Sequence, residues 1–177
     1  MRVISHVWCS VTFGALLLAG CATPSRPTEM VAVPPGPIHS SDRSVSVTVS
    51  GGMDTSATLP SQISNEAFAQ ALRDSIQRSG LFAAIGSEPA PRYALSAFIG
   101  KLDQPLLGGA MTVTMEVSYS LTDTLSGKAV WTGSIESTYT APFGEAIVGA
   151  TRLRLANEGA ARKNIEQTIE AISALNL

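Results

Sequence analysis

The chain has 177 residues, 45% of them apolar and only 15% charged, with a formal net charge of −2. That is enough for one globular domain, and too apolar for wholesale disorder. A mildly acidic balance with no basic run argues against nucleic acid as a partner, and two Cys and two His leave little material for metal or nucleophile chemistry.

Residues 1–20 carry one early cation, Arg2, then an apolar stretch from Val7 to Leu18 that ends in Ala19 and Gly20. At about a dozen residues the stretch falls short of the roughly 20 that span a bilayer core, so it reads as a secretory signal. Leu18-Ala19-Gly20-Cys21 resembles the bacterial lipobox. That resemblance implies that Cys21 becomes the first mature residue and carries a thioether-linked diacylglycerol and an N-acyl chain, enough acyl length for a stable anchor. Ala rather than Asp at position 22 implies sorting to the outer membrane, with the chain on its periplasmic face. Cys9 falls inside the signal, so Cys21 is the sole mature cysteine and no structural disulfide is expected. No cofactor beyond these covalent lipids is implied.

Residues 21–44 follow as a lipidated Cys and a Pro-rich tether. Five of the ten prolines fall between Pro24 and Pro37, and Pro-rich chain of this length reaches up to about 70 Å when extended.

Residues 45–177 read as a single α+β domain. Val45, Val47 and Val49 alternate with Ser46, Thr48 and Ser50 in a first strand stopped by Gly51-Gly52. Pro60-Ser61 opens a helix whose apolar face includes Ile63, Phe68, Leu72 and Ile76. Gly80 closes it, with Leu81 and Phe82 folding back on the last turn. Three strands come next: one through Tyr93, Leu95, Ala97 and Ile99, one through Met111 to Thr122, and one through Ala129, Trp131, Ile135 and Tyr139. Glu145 to Leu177 is a final helix that gathers Arg152, Arg154, Arg162 and Lys163; Glu158 is placed to pair with Arg154 and Arg162 in a salt-bridged outer face, the other reading being an anionic-lipid or partner patch. The order β-α-β-β-β-α predicts a two-layer sandwich: a mainly antiparallel four-stranded sheet with two helices on one face.

The domain contains no His and no Cys, and its acids are scattered singly. Triads, zinc sites and paired-carboxylate hydrolysis lack their residues, so no catalytic and no metal residue is assigned and no enzyme is expected. Topology supplies a different site. The strands ending near Ser50, Ile99 and Tyr139 terminate at one end of the sheet, which collects three loops carrying Met53, Leu59, Leu106, Leu107 and Phe143. These are candidate partner-binding residues, or else side chains that cap the core.

The lipobox, the helix ending Ser79-Gly80-Leu81-Phe82, the strands around Tyr93-Ala94-Leu95 and Tyr119 to Asp123, Ala129-Val130-Trp131 and the last helix resemble short uncharacterised proteobacterial outer-membrane lipoproteins. The element order is similar to the lipopolysaccharide-assembly lipoprotein, the N-terminal domain of TolB and lipoprotein activators of penicillin-binding proteins. That resemblance implies a non-catalytic interaction or accessory subunit in envelope assembly or transport, membrane-bound through its anchor and working with an envelope protein partner. The other reading is a carrier of lipid or another apolar ligand, its pocket between sheet and helices lined by Phe68, Met111, Met115 and Trp131.

Overall fold

The computed structural model describes residues 22–56, 58–86 and 90–177. Its elements are α1 (Pro27–Met30), β1 (Ser41–Ser50), α2 (Asn65–Ser79), β2 (Phe82–Ile85), β3 (Tyr93–Asp103), β4 (Met111–Asp123), β5 (Lys128–Ala141), a single 3-10 turn at Phe143–Glu145, and α3 (Gly149–Ser173). The five strands form one open sheet in the order β2-β1-β3-β4-β5. β1 runs parallel to both β2 and β3, while β3, β4 and β5 are successively antiparallel.

The alternation in β4 sets the layers. Met111, Val113, Met115, Val117, Tyr119 and Leu121 are buried beneath the helices, and the intervening Thr, Ser and Glu side chains face the other way. α2 lies against β1 and β2, α3 against β4 and β5. On the open face, hydroxyl pairs Thr112–Thr140 at 2.9 Å and Thr114–Thr138 at 3.0 Å bridge β4 and β5 in register.

Ser64 caps α2 by accepting the Ala67 amide at 3.2 Å, and Gly80 ends it in the left-handed region at φ 67°. The helix thus starts later than Pro60-Ser61, because the backbone of Gln62 and Ile63 is bonded to other segments. The Ile63 carbonyl accepts the Met53 amide at 3.1 Å, and the Gln62 carbonyl accepts the Ser25 amide at 3.2 Å. α3 likewise begins at Gly149 rather than Glu145, after the separate 3-10 turn.

Three expectations are corrected. The sheet has five strands and is mixed, because Phe82–Ile85 forms a short parallel edge beside β1 instead of only folding back on α2. Four residues are too few to display an alternation. The space proposed for an internal carrier pocket is filled: Phe68 and Met115 are fully buried in one continuous core, and Trp131 packs on Tyr119 with ring centres 6.1 Å apart.

The third correction concerns the Pro-rich segment, which lies along the domain as a strap. α1 touches both α2 and α3, and Met30 and Ala32 are buried in the core. The Ser75 hydroxyl accepts the Ala32 amide at 2.9 Å, Ser173 accepts the His39 amide at 2.7 Å, and β1 already begins at Ser41. Beneath the strap, Arg154 donates to both carboxylate oxygens of Glu158, at 2.7 and 2.9 Å, and Glu158 also accepts the Arg26 amide at 2.9 Å. The pair expected on an outer face is therefore an inner one, with Glu158 only 1% exposed. Arg162 donates to the Glu29 carbonyl instead, at 2.9 Å.

Close packing extends along α3. A Cβ at Gly159 would lie 2.4 Å from the Tyr139 ring, so only glycine lets β5 approach there. Asn164 accepts the Tyr119 hydroxyl at 2.7 Å and donates to the Ile135 carbonyl at 2.8 Å. Burial pushes the Tyr119 phenol well above the usual tyrosine range, so it stays a neutral donor.

Two outcomes follow. Glu158→Ala strands the buried Arg154 charge and lowers the unfolding free energy by about 3–5 kcal/mol, whereas Arg154→Met/Glu158→Leu recovers most of that in denaturant titration. At the opposite end, the Asp123 carboxyl is held below its ordinary range, chiefly by the Ser126 amide, with Leu125 and Arg92 adding to it against the effect of burial. A depressed carboxyl stabilises above its unfolded pKa, and that stabilisation fades as pH falls through the folded one. Asp123→Asn therefore lowers Tm at pH 7 by a margin that closes below about pH 4 in thermal melts.

Candidate functional site

β1, β3 and β5 all end at the same end of the sheet, where β4 begins, and the loops leaving them meet there. Their base is rigid. The Gln104 side chain donates to the Ser61 carbonyl at 2.7 Å and to Asn157 at 2.8 Å, and it accepts from Gln62 at 3.1 Å. Asn157, fully buried on α3, donates to the same Ser61 carbonyl at 2.9 Å. The loops after β1 and β3 are thereby fixed to the helix layer through satisfied polar groups.

Above this base opens a cleft of about 520 Å³ whose walls include Ala22, Leu59, Leu106, Leu107, Met111 and Arg152. Leu106 is 92% and Leu107 90% exposed, so these side chains do not cap the core. Of the five candidates, Leu59, Leu106 and Leu107 share this cleft. Phe143, also exposed, joins it indirectly: its ring lies under the Arg152 guanidinium, 4.8 Å away. Met53 is set apart, on a smaller hollow beside Gly51, Ile63 and Ile99. Cys21 and the 1–20 signal lie outside the described residues.

Arg152, read from the sequence only as one of the basic residues of the last helix, belongs to this site. It is 5% exposed, and it donates to the carbonyls of Ala146 at 2.5 Å, Ile147 at 2.8 Å and Gly108 at 3.2 Å, tying two loops to α3. Its Nε is buried without an acceptor. Ile147 and Val148 are exposed beside it and extend the apolar rim. In the sequence Arg152 is one of several basic residues on a helix, and nothing there separates it from its solvated neighbours. Glu145, the carboxylate of this loop, accepts the Tyr139 hydroxyl at 3.0 Å; that bond, more than burial, raises the Tyr139 phenol above its ordinary range.

Ala22 lines the cleft because the start of the strap is held there. Ser61 donates its hydroxyl to the Thr23 carbonyl at 2.7 Å, beside the Ser25 amide bond to Gln62. Among the described residues no three His, Cys, Asp or Glu side chains converge, and no helix is long and apolar enough to cross a membrane.

No family model matches the chain, and no curated protein matches it. Solved structures do share its fold. Protein XCC0632 from Xanthomonas campestris, of family DUF330, superposes with a TM-score of 0.66 at 13% identity, covering 87% of this chain and 96% of that one. Uncharacterized lipoprotein B from Nitrosomonas europaea gives 0.54 at 12% identity, covering 78% and 88%. A PelC dodecamer from Paraburkholderia phytofirmans gives 0.51 at 14% identity, covering 80% and 93%. Identities this low establish a shared α+β fold alone. They do not confirm the comparison with the lipopolysaccharide-assembly lipoprotein or TolB.

Because Leu106 and Leu107 stand clear of the core, Leu106→Ser/Leu107→Ser leaves stability within about 0.5 kcal/mol of the parent chain in thermal melts, and, if this end is a docking surface, it abolishes partner capture there. A lowered melting temperature with capture intact assigns the two leucines to packing.

Proposed function

We propose that this chain is a lipoprotein of the outer membrane, on its periplasmic face, anchored through diacylglycerol and an N-acyl chain at Cys21. In this reading it works without catalysis, as an interaction or accessory subunit in envelope assembly or transport, and docks through its apolar loop end. The observation that carries this reading is the exposure of Leu106, Leu107, Phe143, Ile147 and Val148 on loops whose base is fixed. Leaving a large apolar side chain in water forfeits about 1.5–3 kcal/mol of burial each, and a cluster of them at one end marks a contact surface. The presence of lipoproteins among its fold neighbours is in keeping with this reading.

The strap changes where that surface would lie. Cys21 precedes Ala22 of the cleft wall by one residue and the pinned Thr23 by two, so an anchor on it would join the chain beside the cleft. A lipidated chain would then present its apolar end to its own bilayer, or to a protein seated in it, instead of standing off at the length of an extended tether. The carrier reading is disfavoured by the filled interior around Phe68 and Met115.

Cys21→Ala is expected to abolish incorporation of labelled palmitate and to release the chain from the membrane fraction; labelling that persists overturns the anchor. In-cell photocrosslinking from positions 106 and 143 is expected to trap an envelope component at the loop end.

A further inference from the structure

We propose that the cleft at the loop end is a headgroup site for an anionic phospholipid, with Arg152 and the first amides of α3 facing the phosphate and Leu59, Leu106 and Leu107 lying along the acyl chains. The proposal builds on the docking reading above and names the chemistry of what docks.

The first observation is a missing counter-ion. Two arginines of α3 are buried, and they are treated differently. Arg154 has the Glu158 carboxylate at 2.7 Å. Arg152, at 5% exposure, has no carboxylate partner among the described residues; it is met only by three neutral carbonyls and the Phe143 ring face. A guanidinium carries five N–H donors, and here Nε–H is buried with no acceptor. A buried charge without an opposite charge is costly, and an anion seated beside it removes that cost.

The second observation is the start of α3. This 25-residue helix is preceded by Val148, has no side-chain cap and carries no acidic residue in its first turn. α2, by contrast, is capped by Ser64 and has Glu66 in its first turn. The opening amides of α3 are therefore left without side-chain acceptors at the positive end of the helix dipole. Gly149 and Ala150 line the same cleft as Arg152, and a Cβ at Gly149 would lie 3.8 Å from Arg152 Nη2, so amides and guanidinium border one space.

The walls select the rest of the ligand. Among the described residues the cleft lining includes Arg152 and no acidic side chain, so none of them meets the ammonium of a zwitterionic headgroup. The nearly free Leu106 and Leu107 offer nothing to inorganic phosphate and suit acyl chains. Ala22 lies in the wall, one residue after the cysteine proposed to be anchored, so the occupant is a lipid of the bilayer in which that anchor sits.

The test is native mass spectrometry of the full lipidated chain, released from detergent in the presence of palmitoyl-oleoyl phosphatidylglycerol, palmitoyl-oleoyl phosphatidylcholine or inorganic phosphate. One phosphatidylglycerol is expected to be retained with about tenfold preference over phosphatidylcholine, with no retention of phosphate. Arg152→Gln is expected to remove the preference. Because Arg152 also holds two loops, Ala150→Asp supplies an independent variant: a carboxylate in the first turn favours the helix, so Tm holds or rises while phosphatidylglycerol retention falls about tenfold. Equal retention of both lipids, retention of inorganic phosphate in place of lipid, a co-purifying polypeptide filling the cleft, or an Ala150→Asp chain that still prefers phosphatidylglycerol each overturns the proposal. The intact mass in the same spectra reports the anchor separately: a chain lacking the acyl mass fails the anchoring reading whatever it retains in the cleft.

Discussion

Glu158 is a carboxylate almost wholly withdrawn from water, and it ties the strap to the helix layer. It neutralises Arg154 and accepts the Arg26 amide, so one side chain of α3 fixes both a buried charge and the start of the strap. A buried carboxylate survives in a protein only when its lone pairs are used in this way. Since Arg26 is pinned, Thr23 and Ser25 fall against Ser61 and Gln62, and Ala22 falls into the cleft wall. The relation between the start of the strap and the loop end is thus set inside the helix layer.

How much of this was legible depends on whether burial leaves a pattern in the sequence. β4 could be read residue by residue, because a sheet with one covered face forces a period of two over thirteen residues. The meeting of three loops at one end followed from strand directions alone. β2 was not legible, since Phe82-Ala83-Ala84-Ile85 is too short to show a period and its pairing with β1 is a tertiary event. The strap was hidden for a different reason: proline density suggests an extended spacer, yet Met30, Ala32 and Ile38 lie among the prolines as apolar anchors. Prolines lower the entropy lost when such a segment is laid down, so they suit a docked strap as well as a free tether.

Charges are where composition misleads most. Arg152, Arg154 and Arg162 sit on one helix within three turns and look alike in the sequence. The fold gives them a carbonyl cage under a cleft, an inner ion pair and a surface bond to the strap, respectively. α3 is long enough to touch the sheet, α2 and the strap at once, so residues that a two-layer scheme would leave wet become covered from a third side. An outer helical face can be inferred from periodicity only when nothing else packs on it.

Most polar groups elsewhere in the helix layer are matched, the buried Ser25 hydroxyl being an exception. Asn157, Asn164, Ser137 and Gln104 find partners across elements, Thr168 bonds back to the Asn164 carbonyl within α3, and the open face of the sheet pairs its own threonines. Against that background, the loop end stands out by what it leaves unmatched: apolar side chains in water, a guanidinium without a carboxylate and a helix start without a cap. Each of these costs stability when alone, and a fold that satisfies its polar groups at the base of the same loops has the means to avoid all three. Under the anchoring proposed at Cys21, their concentration beside Ala22 would put the cost where a bilayer removes it, through hydrocarbon for the leucines and anionic headgroups for the charge.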